Sequence, residues 1–279
     1  MNKIMLCGKT AAIAAKPTMT VEAEYGTTLV EGTLVTLAHH TRAGTCPCLA
    51  PNTSSGFAGD IIVSHVDLDT VGGALACMGL KPHGEEFWYW AAEVDVRGPH
   101  IPIPPTARLR LAAYWVWAQK PENRAPRVRD DEAVDVTTLV IAHSRRVAAV
   151  IQAPGSDPVL QEGKEFMDQE AVLNLNSFVQ WTGETIVRQS DKFVNHLYTA
   201  PSGLVAEALV AINTTTGAIT LSFRDDTARK GRNASDIMRK AFGPDAGGHP
   251  GIAGTPRGIV YANGGIQQVL DVLNSENSK

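Results

Sequence analysis

Cysteine is scarce in this sequence of 279 residues, which contains only Cys7, Cys46, Cys48 and Cys77. Because the four are unevenly spaced, they do not indicate a disulfide framework, and we expect reduced thiols. A run of about 18 consecutive apolar residues, which a membrane-spanning helix needs, is also missing. The first residues, MNKIMLCGKTAAIAAKPT, form too broken an apolar stretch for a signal peptide. These absences favour a cytoplasmic protein with no membrane partner.

Positive charge is not in excess either. The formal net charge is −4 and the sequence pI is about 6.1, whereas binding along a nucleic-acid backbone usually needs a strongly basic face. Any anionic substrate must therefore be held by a local group of cations. The apolar fraction of 44% is sufficient for one large domain or two smaller ones.

Strand-like and helix-like segments alternate through the first half of the chain. We predict strands in GTLVTLAHH, in FWYWAAEVDV and in TTLVIAH at 137–143, the last because its apolar run is continuous and rich in β-branched residues. Helices are predicted over 70–80 and 106–120. This alternation is typical of an α/β fold with a mainly parallel sheet that helices flank.

The second half of the chain differs in composition. A helical pattern covers 157–190, and the segments KFVNHLYT, LVAEALVAINT and GAITLSFR follow as predicted strands. NASDIMRKAF is typical of a helix with Asn233 or Ser235 as its N-cap, and IQQVLDVLNS of a final helix. We therefore predict two lobes: an α/β domain at 1–155, a helical linker at 156–190 and a smaller α/β domain at 191–279.

The stretch IIVSHVDLDTVGGALA, residues 61–76, places His65, Asp67 and Asp69 at every second position between a strand and a helix. Side chains two apart on a strand share one face, so three potential metal ligands would converge. Ligands in open α/β sheets bind outside the carboxyl ends of strands, where these residues fall. The spacing leaves a second interpretation about equally open: a polar turn in which one aspartate caps the helix.

The segment GPDAGGHPGIAGTPRG, residues 243–258, places glycines around a histidine. Because glycine has no Cβ, the backbone at Gly247 and Gly248 can approach a ligand closely, beside His249. Arg224, which ends the segment SFR, and Arg257 carry guanidinium groups suited to phosphate or carboxylate. The alternative is a mobile Gly/Pro loop with incidental charges.

Together the two segments resemble the DHH phosphoesterase superfamily, which includes RecJ-like nucleases and nanoRNases. HVDLDTVGG resembles the first motif of that family, and residues 219–254 resemble its DHH-associated C-terminal domain. The resemblance implies a metal-binding phosphoesterase domain at 1–155 and a substrate-binding domain at 191–279. In the latter, the Ser222-x-Arg224 strand and the loop of Gly247, Gly248 and His249 would cradle the substrate.

The same resemblance implies two divalent ions, Mn²⁺ or Mg²⁺, at the edge of the first sheet. His65 and Asp67 would bind one ion and Asp69 the other. Asp95 in AAEVDVRGPH would bridge both ions, and His100 would lie close by.

The sequence departs from the family because it contains no Asp-His-His. The nearest substitutes are His39 and His40, which precede the first motif and would reach the metal site from a neighbouring strand. The fourth-motif aspartate also has no clear match, since TTLVIAHSRR offers His143, and Asp135 precedes it. The metal complement could therefore be reduced to one ion or lost.

We expect a metal-dependent phosphoesterase that hydrolyses a small phosphate ester or a short oligonucleotide or cyclic nucleotide, with short single-stranded RNA or DNA as a further candidate. A homodimer is left open. One alternative is a nucleotide-binding protein that has lost catalysis on the same scaffold. Another is a zinc-stabilised interaction protein that uses His39, His40, Cys46 and Cys48, although Cys-Pro-Cys is a tighter spacing than that of structural zinc knuckles.

Overall fold

Two separate sheets organise the chain. The computed structural model describes residues 3–40, 44–53, 59–97, 101–256, 258, 260–261 and 264–277. The first unit comprises Met1–Val96 and Ile103–Met167, and the second comprises Arg97–Pro102 and Asp168–Lys279. The predicted class is confirmed: an α/β fold with a mainly parallel, helix-flanked sheet, followed by a smaller α/β unit.

The elements of the first unit alternate along the chain. Its strands are β1 (Ile4–Cys7), β2 (Met19–Val21), β3 (Glu24–Tyr25), β4 (Thr28–Leu29), β5 (Val35–Leu37), β6 (Ile61–Val63) and β7 (Ala133–Asp135). Its helices are α1 (Lys9–Ala15), α2 (Leu68–Cys77), α3 (Glu85–Arg97), α4 (Pro105–Ala118), α5 (Thr137–Gln152) and the first part of α6 (Gln161–Asn176). Short 3₁₀ turns cover Pro47–Leu49, Pro121–Asn123 and Pro158–Leu160.

The first sheet has the order β5-β2-β6-β1-β7, and every pair in it is parallel except β1 with β7. The strand β6 pairs Ile61 with Ile4 on one side and with Met19 on the other. All three residues of β6 are buried, which is expected of a central parallel strand whose two faces are both covered. The carboxyl ends of β5, β2 and β6 consequently lie along one edge of the sheet.

Helices α2 and α4 confirm two predicted helices, but two predicted strands are helices instead. FWYWAAEVDV lies in α3, and TTLVIAH begins α5. In both helices the buried positions recur every three or four residues, which is the period of an amphipathic helix and outweighs the β-propensity of aromatic and β-branched residues. The buried residues are Phe87, Trp88, Ala91 and Ala92 in α3, and Val140, His143, Val147 and Val150 in α5.

The second unit is built on a mixed sheet of order β12-β13-β11-β10-β9-β8, in which only β9 and β10 are parallel among the described pairs. Its strands are β8 (Phe178–Thr182), β9 (Thr185–Ser190), β10 (Ala208–Asn213), β11 (Ile219–Phe223), β12 (Gly247–Gly248) and β13 (Ile252–Gly254). Its helices are the end of α6, then α7 (Asp226–Arg229), α8 (Ala234–Phe242) and α9 (Gly264–Asn277). No helix in the described part of either unit is both long and apolar enough to cross a bilayer.

Two predictions for this region need correction, and one is confirmed. The segment 156–190 is not helical throughout, because α6 ends at Asn176 and β8 and β9 follow it. The segment KFVNHLYT is an irregular loop and not a strand. Asn233 is the N-cap of α8, since its side chain accepts a hydrogen bond from the backbone N–H of Ser235 at 2.9 Å.

The irregular loop is held by a buried arginine. Arg188, in β9, is 0% exposed, and its guanidinium donates to the backbone oxygens of Leu197 (2.6 Å), Thr199 (2.8 Å) and Asn174 (2.7 Å). It also donates to the side chains of Asn174 (2.5 Å) and Ser177 (2.9 Å). Burial lowers the pKa of Arg188 to about 10. The guanidinium thus ties this loop to β9 and to the end of α6.

We expect Arg188→Ala to destabilise the second unit by at least about 4 kcal/mol, because each buried acceptor left unpaired costs about 1–3 kcal/mol. Urea unfolding followed by circular dichroism would measure the loss. Lys192→Ala, which removes an exposed cation from the same loop, is the control and should change stability by less than about 0.5 kcal/mol. Similar unfolding midpoints for the two variants would contradict the role given to Arg188.

Candidate metal centre

Acidic and imidazole side chains follow the carboxyl ends of three neighbouring parallel strands. Glu22 comes directly after β2, His39 and His40 follow β5, and His65 follows β6. Because these strands are adjacent, their ends meet at the edge where open α/β sheets bind ligands. Asp69 joins them from the first turn of α2.

His39 lies at the centre of the resulting cluster. Its Nε2 atom is 2.9 Å from Oδ2 of Asp95, 3.6 Å from Oδ2 of Asp69 and 3.8 Å from Oε1 of Glu22. The other carboxylate oxygen of Glu22 is 3.5 Å from Nε2 of His40. His39, Asp69 and Glu22 are nearly inaccessible to solvent, with side chains 5%, 3% and 0% exposed.

Asp95 therefore reaches the cluster from a different element than predicted. It was expected at the end of a strand, but it lies near the end of helix α3. A carboxylate near the end of a helix can reach this edge of the sheet as well as one at the end of a strand can. His100, predicted close to Asp95, lies outside the described residues.

The potential ligand atoms form three overlapping groups, within each of which the atoms lie within 4.8 Å of one another. Asp69 belongs to two of the groups, and so does His39, which makes the three groups contiguous. The groups are His39, Cys46, Asp69 and Asp95; Glu22, His39 and His40; and His65, Asp67 and Asp69.

The buried atoms of this cluster lack the hydrogen bonds that buried polar atoms normally make. Within the described residues, no hydrogen bond reaches either oxygen of Glu22, Nε2 of His39, or Oδ2 of Asp69 and Asp95. His39 and Asp95 are only 2.9 Å apart, yet they are not aligned as donor and acceptor. Ligand atoms about 2.1 Å from a cation and at right angles to each other lie about 3 Å apart. The donor set therefore fits a divalent cation.

Glu22 is a member of the cluster that we did not predict from the sequence. Its backbone has φ of 49°, in the left-handed region that side chains other than glycine rarely adopt. Such a conformation costs about 1–3 kcal/mol and is concentrated at functional sites. The one sequence signal was an acidic residue placed directly after the apolar strand MTV.

Burial and mutual repulsion shift the pKa values of Glu22 and Asp69 upward. Burial, together with the nearby Asp69 carboxylate, raises the pKa of Glu22 to about 9. Burial also raises the pKa of Asp69 to about 7, although the nearby imidazole of His39 acts in the opposite direction. The close carboxylates of Asp69 and Asp95 raise the pKa of His39 to about 11. The cluster thus places three carboxyl groups around one imidazole, and burial opposes the ionisation of two of them, Glu22 and Asp69.

The orientation of His65 follows from its neighbour. The Ser64 hydroxyl donates its proton to the backbone oxygen of Glu22, so at the contact of 2.8 Å between Ser64 Oγ and His65 Nδ1 the imidazole must donate. Neutral His65 therefore presents the lone pair of Nε2, which lies 3.0 Å from Oδ2 of Asp67. Metal-binding histidines are usually fixed in this way through the other ring nitrogen.

Asp67 both caps a helix and faces a potential metal ligand, which are the two roles that the sequence left open. It is the N-cap of α2, where Oδ1 accepts from the backbone N–H of Thr70 at 3.2 Å, and its Oδ2 faces His65. Burial alone would raise the pKa of Asp67, but the hydrogen bonds from His65 in its protonated form and from the backbone N–H of Thr70 hold that pKa below its usual range.

Cys46 and Cys48 lie in the turn that faces α2. Cys46 is in the group with His39, and its Sγ is 3.6 Å from Sγ of Cys48, whose thiol donates to the backbone oxygen of Trp88. Among the described residues Cys48 joins none of the three groups, so the predicted zinc set is only partly assembled. Two glycines bring the turn close to the helix: a Cβ at Gly72 would lie 2.6 Å from Cβ of Cys48, and one at Gly73 would lie 2.7 Å from Cβ of Pro47.

Two residues considered for the fourth motif lie outside these groups. Asp135 is at the antiparallel edge strand β7, is well exposed and accepts a hydrogen bond from the Thr137 hydroxyl at 2.6 Å. His143 is buried in α5, where its Nδ1 is 2.7 Å from the hydroxyl of Tyr114. Neither belongs to a described ligand group.

The second unit gathers its predicted substrate-binding residues at one end of its sheet. Ser222, however, is 0% exposed, and its hydroxyl accepts from Tyr198 (2.9 Å) and Asn195 (3.2 Å) while it donates to the Asn195 backbone oxygen (3.1 Å). Ser222 therefore lies in the core, where it anchors the irregular loop to β11, and not on a surface that a substrate reaches.

The remaining residues of that end are more accessible. Arg224 is partly exposed and uses Nε to contact Asp225 at 2.9 Å. His249 is exposed in the turn between β12 and β13. Gly248 has φ of 152°, and a Cβ there would lie 2.6 Å from the Ile252 oxygen, so the hairpin itself requires this glycine. Arg257 is not among the described residues.

We expect Mn²⁺ to stabilise the first unit against heat. A cation at about 100 times its Kd adds about 2.7 kcal/mol, which corresponds to a rise in Tm of about 5–10 °C. Asp69→Asn should raise the Tm of the metal-free protein, because it removes a carboxylate repelled by Asp67 and Asp95, and should abolish most of the Mn²⁺ response.

Differential scanning calorimetry with and without Mn²⁺ would test this expectation. The control, Asp131→Asn, changes an exposed carboxylate outside the cluster and should keep both the wild-type Tm and the full response to Mn²⁺. A normal response in Asp69→Asn would count against the centre.

Comparisons with known proteins assign no family. No family model matches the sequence, and no curated protein is similar enough to count as a match. The functional argument therefore depends on the geometry of the two units and on the resemblance of the two motifs.

Proposed function

We propose that the protein is a metal-dependent phosphoesterase that acts on a small phosphate ester or a short oligonucleotide or cyclic nucleotide. The observation that supports it best is the sharing of Asp69 between the group of His39 and the group of His65. A carboxylate common to two ligand groups is suited to an adjacent pair of cations, which is the arrangement used for in-line displacement at phosphorus.

In this proposal the side chains of the cluster hold two cations. His65, Asp67 and Asp69 would hold one cation, and His39, Asp69 and Asp95 the other, with Mn²⁺ or Mg²⁺ favoured by the carboxylate oxygens. When bound, such ions acidify water and offset charge on the phosphate oxygens. Glu22 supports His39 and His40, and the burial of Glu22 and His39 excludes bulk water from their side of the cluster. Cys46 is the one soft donor, and it would favour Zn²⁺ in the group of His39.

Several features favour a small anionic substrate. The net charge is −4, which disfavours a long duplex. Arg224 and His249 in the second unit are accessible groups that we assign to substrate binding. We also propose a cytoplasmic location, which the four free cysteines support.

The first test is a panel of substrates assayed with Mn²⁺ and with chelator: p-nitrophenyl phosphate, a 3′,5′-bisphosphonucleotide, a phosphorylated dinucleotide and a cyclic dinucleotide. We expect hydrolysis of at least one to require the metal. Asp69→Asn should lower kcat by at least about 100-fold, since metal catalysis contributes several kcal/mol. Asp131→Asn should retain wild-type kcat.

The outcomes separate the alternatives. Hydrolysis in excess chelator would contradict the proposal. Stabilisation by Mn²⁺ and nucleotide binding without any hydrolysis would favour the nucleotide-binding protein on the same scaffold. Tightly held zinc in the purified protein would favour the zinc-stabilised protein.

We expect Arg224→Ala and His249→Ala to raise KM more than they lower kcat. A charged hydrogen bond to a non-reacting group acts equally in ground and transition states, and its loss costs about 1.5–3 kcal/mol, or roughly ten- to 150-fold. Steady-state kinetics would show the change, with Lys192→Ala as control. A fall in kcat at constant KM would mean that this role is misassigned.

A further inference from the structure

A cavity of about 640 Å³ lies within the first unit, beside the candidate metal centre. Its volume falls in the range of about 300–1,000 Å³ that is usual for small-molecule sites. His65 and Asp67 form part of its wall, so whatever fills it lies next to one of the proposed cation groups. None of its lining residues was expected from the sequence to bind a substrate.

Two arginines line this cavity without a carboxylate partner. Arg124 and Arg127 are exposed, follow the 3₁₀ turn Pro121–Asn123, and make no ion pair within the described residues. Two arginines of the first unit that lie outside the cavity lining are paired: Arg129 with Glu132 at 3.3 Å, and Arg146 with Glu162 at 3.6 Å. Guanidinium groups left free at a cavity are suited to forked hydrogen bonds with phosphate.

The wall beneath these arginines is fixed by a buried hydrogen-bonded pair. His143 Nε2 is 2.9 Å from the Asn123 backbone oxygen, which can only accept, so Nε2 carries the proton. Nδ1 then accepts from the Tyr114 hydroxyl at 2.7 Å. The pair is neutral and ties Asn123, and with it the segment that carries Arg124, to α4 and α5.

An aromatic side chain completes the lining. Trp115, in α4, is partly exposed and contributes to the cavity wall. Stacking of a base on an aromatic face contributes to nucleotide binding regardless of the base. The cavity therefore offers a flat apolar surface and two cations, beside two metal-ligand side chains.

We infer that this cavity binds a nucleotide through a phosphate that is not hydrolysed, with that phosphate on Arg124 and Arg127 and the base against Trp115. The substrate class that fits is a nucleotide carrying at least two phosphates, such as a 3′,5′-bisphosphonucleotide or a terminally phosphorylated dinucleotide. The identity of the reacting phosphate rests on the proposed function, whereas the binding of the nucleotide does not.

The test is made on the metal-free protein in chelator, so that it is independent of hydrolysis. Isothermal titration calorimetry would compare adenosine 5′-monophosphate, adenosine and inorganic phosphate as ligands. We expect adenosine 5′-monophosphate to bind best and adenosine at least about tenfold more weakly, because only the former engages both arginines.

The variants locate the site. The double variant Arg124→Ala/Arg127→Ala should weaken binding of adenosine 5′-monophosphate at least about tenfold. The double variant Arg124→Lys/Arg127→Lys keeps the positive charges and should retain part of the wild-type affinity. In both double variants the Mn²⁺-induced rise in Tm should be unchanged. Arg129→Ala removes the same charge from the same segment outside the cavity and should bind normally. Unchanged binding in the double alanine variant, an equal loss in Arg129→Ala, or no binding to wild type would overturn the inference.

Discussion

Parallel pairing of β5, β2 and β6 is the constraint on which the candidate centre depends. Each strand contributes only three residues, but their common direction places Glu22, His39 and His65 at one edge. An antiparallel neighbour would send its terminal residues to the opposite edge, as β7 does with Asp135. The buried, β-branched residues of β2 and β6 stabilise this pairing, so the apolar core and the polar cluster depend on the same register.

The cluster has a cost in fold stability. Carboxylates at Glu22, Asp69 and Asp95 share one imidazole, and several of their buried oxygens lack hydrogen bonds. Unpaired buried polar groups cost about 1–3 kcal/mol each, and the left-handed backbone at Glu22 adds strain. A cation bound at this cluster would offset such costs, because a ligand that binds only the folded state stabilises it.

The sequence predicted the part of this centre that depends on local spacing. His65, Asp67 and Asp69 were found from a period of two, although Asp69 already belongs to the first turn of α2. Asp95 was assigned to a strand because aromatic residues precede it, while the helical spacing of Phe87, Trp88, Ala91 and Ala92 was the better guide. Glu22 and the arginine-lined cavity could not be found, because both depend on which strands and helices are neighbours in space. Ser222 shows the reverse case: its position in the chain suggested a binding surface, and only the packing of Tyr198 and Asn195 places it in the core.

The glycines at 72 and 73 have a consequence for protein design. Neither glycine has a side chain that could bind a metal. The turn that carries Cys46 and Cys48 nevertheless lies against α2 only because Gly72 and Gly73 have no Cβ. Each glycine inside a helix costs about 1 kcal/mol relative to alanine, so the helix gives up intrinsic stability for that close approach. A design that transfers the ligand residues to another scaffold must also transfer the two helix glycines. No side chain is smaller than that of glycine, so neither position has a conservative replacement. The information that specifies such a centre is therefore carried partly by residues that never touch its contents.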